Sequence, residues 1–129
     1  MRRFKFEKLV RDKIVESIEG HGNVPHYRTL SDEEFAVELK KKLIEEAKEL
    51  IEAQGDEIIK EIADIQEIID NLLKTLDISK ENLEFAQNVK NDKNGSLKKK
   101  HYIEYVDVKE GSPEIEYYLK FAEKYPEIV

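Results

Sequence analysis

The sequence predicts a mainly α fold organised around a central antiparallel helical hairpin, with one minor short strand. Three observations carry this expectation. Apolar residues recur at helical spacing on both sides of Gly55: Phe35, Leu39, Leu43, Ala47 and Leu50 before it, Ile58, Ile62, Ile65, Ile69, Leu72 and Leu76 after it. Ser31 and Glu34 form an S-x-x-E capping box ahead of the first run, and Gly55-Asp56 supplies a stop and a restart between the runs. Only His101 to Val108 is rich enough in Tyr, Ile and Val to suggest a strand.

In chain order, Phe4 to Ile18 places Phe6, Leu9, Val10, Ile14 and Ile18 at the spacing of a short amphipathic helix, ended by Gly20 and Gly22. Val24 to Leu30 contains Pro25 and reads as extended. The first hairpin helix runs from Ser31 to about Gln54, and Asp56 is placed to cap the second, which continues to Leu76. Ser79 opens another helix, reaching about Asn91, and Asn94-Gly95 is a turn. Ser112-Pro113-Glu114 begins a final helix. No repeat or composition break divides the 129 residues, so one domain is expected over 1–129, with 102–129 as a strand-and-helix extension.

Composition narrows the function. With 29 acidic against 22 basic residues the formal charge is −7, which disfavours indiscriminate nucleic-acid binding, since that depends on Lys and Arg neutralising phosphates. There is no cysteine, which excludes disulfides, thiolate metal sites and cysteine nucleophiles. No run approaches the roughly 18 apolar residues that span a bilayer, and the first residues lack a signal-peptide core, so no membrane partner and a cytoplasmic location are expected.

The acidic residues of the hairpin stand out by position. Counting from Gly55, Glu49 and Glu61 lie six residues away on opposite arms, and Glu46 and Asp64 nine. Equal distance from an antiparallel turn means equal height, so Glu49 should face Glu61, and Glu46 should face Asp64 one turn further on. At about 100° per residue, Glu46 falls inside the apolar arc of the first helix, and Glu61 falls between Ile68 and Leu72 on the second. Buried carboxylates need a partner. Lys42 or Lys60 offers internal salt bridges. Four carboxylates converging from two helices favour a multiply charged cation instead. Oxygen ligands without His or Cys suit Mg²⁺, with Mn²⁺ or Ca²⁺ as relatives; the histidines at 21, 26 and 101 show no ligand spacing.

Glu45-Glu46-Ala47-Lys48-Glu49 followed by Glu61-Ile62-Ala63-Asp64 resembles the E-E-x-x-E…E-x-x-D signature of the all-α nucleoside triphosphate pyrophosphohydrolases, the MazG-like proteins. Lys8-Leu9-Val10-Arg11-Asp12-Lys13-Ile14 is similar to the opening of their phosphoribosyl-ATP pyrophosphohydrolase-like branch. The resemblance covers roughly residues 5–100 and implies an all-α pyrophosphatase-type helical bundle. It further implies Mg²⁺ held by Glu46, Glu49, Glu61 and Asp64, with Glu45 or Glu49 taking the proton of an attacking water. Lys8, Arg11 and Lys13 would contact substrate phosphates; the bland alternative for the first is an i, i+4 pair with Asp12. Related proteins often continue with a Gly-Gly-Phe-like element where this chain has Asn94-Gly95-Ser96-Leu97, so no base-binding role is assigned to that loop.

The activity so implied is Mg²⁺-dependent hydrolysis of a nucleoside triphosphate or related nucleotide between the α and β phosphates. The products are a nucleoside monophosphate and pyrophosphate. A non-catalytic helical interaction module on the same scaffold is the alternative. The apolar arc of residues 58–76 covers roughly half of its helix, wider than one neighbour needs, so a homodimer or higher homo-oligomer is expected.

Overall fold

Local chemistry sets the helix boundaries. In the computed structural model, which describes residues 1–129, five helices follow one another: α1 (Asp12–Gly20), α2 (Asp32–Glu52), α3 (Glu57–Thr75), α4 (Lys80–Asn94) and α5 (Glu114–Lys120). The chain divides into two compact units, Met1–Lys90 and Asn91–Val129. No helix is long and apolar enough to cross a membrane.

In the first unit, α2 starts on the expected capping box. Ser31 Oγ accepts the Glu34 amide at 3.2 Å and the Glu34 carboxylate accepts the Ser31 amide at 3.5 Å. Arg28 grips the same carboxylate through contacts of 3.2 and 2.7 Å. These bonds, the Arg28 one foremost, hold the Glu34 carboxyl down at about 2. The chain leaves α2 through an extended Ala53 and reverses at Gly55, whose φ of +57° is a left-handed conformation natural to glycine.

The expected side-chain cap by Asp56 is not made. Asp56 is already helical, with φ −66° and ψ −18°, so its side chain lacks the geometry of a capping residue. Turn carbonyls take over: Gln54 and Gly55 accept the amides of Glu57 and Ile58, each at 3.2 Å.

α2 and α3 pack along their length and bury Ala36, Leu39 and Ile68 between them. The face of α3 turned to α2 carries Glu61, Asp64, Ile65, Ile68, Leu72 and Thr75, all buried or half-buried. Ile65 and Leu72 belong to the seam expected at Ile58, Ile62, Ile65, Ile69, Leu72 and Leu76, but the centre of the observed face lies roughly 70° round from the centre of that seam. Ile58, Ile62 and Leu76 are exposed, and Ile59 is 72% exposed. A second apolar stripe lies on α2, where Val37, Ile44 and Ile51 recur every seven residues, all exposed. That heptad spacing is visible in the sequence but is masked there by the stronger stripe beginning at Phe35.

The N-terminal helix is shorter than the periodicity suggests. It begins at Asp12 rather than Phe4, and Glu7 has a φ of 45°, which a right-handed helix excludes. Lys8 and Arg11 instead reach across to the hairpin, to Glu45 and Asp64. Gly22, at φ 80°, closes the helix on its far side.

The second unit contains no strand; residues 101–108 are irregular. A lone strand has no neighbour to satisfy its backbone N–H and C=O groups, and β propensity by itself supplies none. α5 follows Ser112-Pro113, with the Ser112 hydroxyl donating to Glu114. Tyr117, Tyr118, Phe121 and Tyr125 gather at ring-centroid distances of 5.1–6.0 Å, mostly edge-on or tilted as ring quadrupoles prefer. Ser79 Oγ accepts the Asn82 amide at 3.1 Å at the start of α4, as its sequence suggests.

The capping box gives a direct test of this assignment. Ser31→Ala should lower unfolding stability by about 1 kcal/mol in urea titrations at pH 7, and Ser31→Asp should restore most of it.

Candidate metal centre

Three carboxylates from the two arms of the hairpin converge. Glu46 on α2 and Glu61 and Asp64 on α3 each place an oxygen within 4.8 Å of the others. The register explains which residues meet. The helix ends at Glu52 and Glu57 put the centre of the turn between Gln54 and Gly55, half a residue before the assumed centre. Glu46 then stands level with Ala63 and so lies between Glu61 and Asp64, rather than facing Asp64 alone. Glu49, expected to face Glu61, is exposed outside the tight cluster. It still stands close enough to act on Glu46 electrostatically.

Glu46 is the unusual member. It is 6% exposed, as hidden as the apolar core residue Ala36 at 8%. The i, i+4 neighbour Lys42 approaches its Oε1 at 3.8 Å, an ion pair too long for a hydrogen bond. Its other oxygen, Oε2, is buried without a partner, and so is Oε2 of Glu61. Lys60 makes its ion pair with Glu57, at 3.2 Å, and leaves the cluster alone. The internal salt-bridge arrangement therefore accounts for one Glu46 oxygen and leaves two buried carboxylate oxygens unsatisfied.

The electrostatics follow. Burial, hydrogen bonding with Glu61 and Glu49 once a proton is present, and the charges of Glu49 and Asp64 push the Glu46 carboxyl up to about 7. An unfavourable site of this kind is relieved in two ways: by a proton shared among carboxylates or by a cation. All the ligands are hard oxygens, which fits Mg²⁺ or Mn²⁺; the two unpartnered Oε2 atoms are where such an ion would find its donors.

The basic residues sit at the edge of this cluster. Arg11 Nη2 donates to Asp64 Oδ1 at 2.7 Å, and Lys8 Nζ donates to Glu45 Oε1 at 3.2 Å. Lys8 is therefore not paired with Asp12, the bland alternative. Lys13 is exposed and joins neither contact. Beside the cluster, a shallow concavity of about 370 Å³ is lined by Lys48, Glu49, Glu52, Ala53, Glu57 and Glu61. Its walls are mostly acidic, so an anionic ligand needs cations to enter. The long-range pairs from the N-terminal segment had no sequence signal, because nothing local dictates which carboxylate a lysine or arginine reaches.

The raised Glu46 pKa has a consequence for stability. In the metal-free protein the folded state holds a proton that the unfolded chain releases near 4.5, so stability falls as pH rises from about 4.5 to 7. The contribution is on the order of 3 kcal/mol. Urea unfolding in EDTA should show this decline between pH 5 and 8, and Glu46→Gln should flatten it.

Compared with protein-family models, curated proteins and solved structures, the chain shows no match.

Proposed function

We propose that the protein is a Mg²⁺-dependent nucleoside triphosphate pyrophosphohydrolase that works as a homodimer or higher homo-oligomer. One observation supports this above the others: Glu46, Glu61 and Asp64 converge from both hairpin arms around two buried carboxylate oxygens that have no partner. A structural salt bridge has no use for the third carboxylate. A divalent cation does, and cations at the rim suit a phosphate-bearing ligand. The pyrophosphohydrolase chemistry itself rests on the resemblance of the acidic and N-terminal motifs.

When bound, magnesium supplies charge neutralisation for the triphosphate and Lewis acidity toward phosphate and water oxygens. Glu46, Glu61 and Asp64 would hold it, and Glu49 would serve as a further ligand or as the acceptor of the attacking water's proton. Lys8 already holds the Glu45 carboxylate, which leaves Glu49 the freer of the two to take the proton. Lys8, Arg11 and Lys13 orient the phosphate chain. Attack at the α phosphorus breaks the α–β anhydride bond and releases pyrophosphate.

The oligomer is supported by the second face of α3. Ile58, Ile59, Ile62 and Leu76 present an exposed apolar surface roughly a quarter-turn from the face that meets α2, as a helix facing two neighbours requires. A second hairpin covers it.

Purified protein with Mg²⁺ should release pyrophosphate from at least one member of a panel of canonical, deoxy and modified nucleoside triphosphates. Glu46→Gln and Asp64→Asn should each lower that rate by about 100-fold or more while circular dichroism stays unchanged. Release from no nucleotide contradicts the enzyme. Mg²⁺ at 10 mM should raise the melting temperature by about 3–6 °C; without that shift, the non-catalytic module is the better account. Ile59→Glu should reduce the sedimentation mass to that of the monomer, and an unchanged mass contradicts the proposed interface.

A further inference from the structure

Two cations of the N-terminal segment are committed to hairpin carboxylates before any ligand arrives, one of them inside the cluster. Lys8 pairs with Glu45 on α2, and Arg11 pairs with Asp64 on α3, across 37 and 53 residues of sequence. Between them Leu9 and Val10 are half-buried, so the backbone is tethered while both charged side chains reach over the rim. The partners remain partly open to solvent: Arg11 is 58% and Asp64 35% exposed in their side chains. Ion pairs that exposed are weak and readily exchanged. Glu7 holds a φ of 45°, which L side chains rarely adopt, so the approach to the rim is made at a local backbone cost.

Asp64 is also one of the three converging carboxylates. Its charge is shared between Arg11 and whatever cation enters the cluster. We infer that Lys8 and Arg11 form a basic strap with one displaceable end: Lys8 anchors it on Glu45 beside the cluster, Arg11 is the counter-ion of Asp64 within it, and a divalent cation loading at Asp64 releases Arg11 to meet the substrate's phosphates. This rests on the metal reading above. Released Arg11 keeps its full charge, and the anchored Leu9-Val10 backbone leaves it within reach of the rim. Metal loading and anion capture are therefore coupled, and the coupling is reciprocal: an anion that takes Arg11 away from Asp64 favours the metal. The wild-type protein consequently binds free metal less tightly than its carboxylates alone would allow.

The test follows Mg²⁺ binding to the full chain by NMR and calorimetry in wild type, Arg11→Gln and Lys13→Gln. Lys13→Gln makes the same charge change in the same segment, on a residue outside both ion pairs. The strap predicts that Mg²⁺ moves the Arg11 guanidinium Nη–H resonance from a paired to a mobile position. It also predicts that Arg11→Gln tightens Mg²⁺ binding about two- to five-fold, the range expected for removing an exposed competing pair, with a smaller change in Lys13→Gln. If Mg²⁺ binds but the Arg11 resonance stays put, or Arg11→Gln binds no more tightly than Lys13→Gln, the strap is overturned and the metal centre stands. If Mg²⁺ binds none of the three proteins, the metal centre fails and the strap fails with it.

Discussion

A buried carboxylate with one unpartnered oxygen governs the hairpin. Glu46 occupies a position as enclosed as the apolar core, and that core is small: Ala36, Leu39 and Ile68 are the other buried residues. A small apolar core tolerates an uncompensated charge poorly, because desolvating an ionised carboxylate costs several kcal/mol. Lys42 lies beside one Glu46 oxygen without a hydrogen bond, and the surrounding acids worsen the problem. Burial and these acids push the Glu46 carboxyl up to about 7, and the proposed cation would relieve the same charge.

The remaining features fall into place around that constraint. The turn at Gly55 sets a register in which Glu46 is level with the gap between Glu61 and Asp64, so a single ion can meet both arms. The N-terminal segment forgoes helix before Asp12 and brings Lys8 and Arg11 to the rim. An anionic cluster that would repel phosphate is thereby edged with the charges that attract it. The overall acidity of the chain and the proposed nucleotide substrate are compatible because the acids are locally organised.

The sequence made the hairpin legible and the details of its faces much less so. Capping at Ser31, the reversal at Gly55 and the 3.6-residue periodicity are local signals, and the helices of the hairpin begin and end within a residue or two of where those signals put them. The positions of Glu46 and Glu61 in apolar arcs were equally readable, since burial on a helix is set by angle. Elsewhere tertiary contacts decided the outcome. The periodicity of residues 4–11 suggests a helix, yet ion pairs with residues far along the chain accompany a different path. Residues 101–108 have strand-forming side chains but no second strand to pair with. Ile65 and Leu72 of the expected α3 seam meet α2, but the seam as a whole is centred roughly 70° from that face, because the apolar arc is wide and periodicity alone cannot say which side α2 takes.

The most direct test of the account is the titration of the Glu46 carboxyl carbon by NMR, with and without Mg²⁺. Without metal it should titrate at about 7. With saturating Mg²⁺ it should be ionised already at pH 5.5 or so, since metal ligation requires the carboxylate. A Glu46 titration that Mg²⁺ leaves unmoved, while the protein stays folded, would contradict the claim that this side chain is buried to hold a cation.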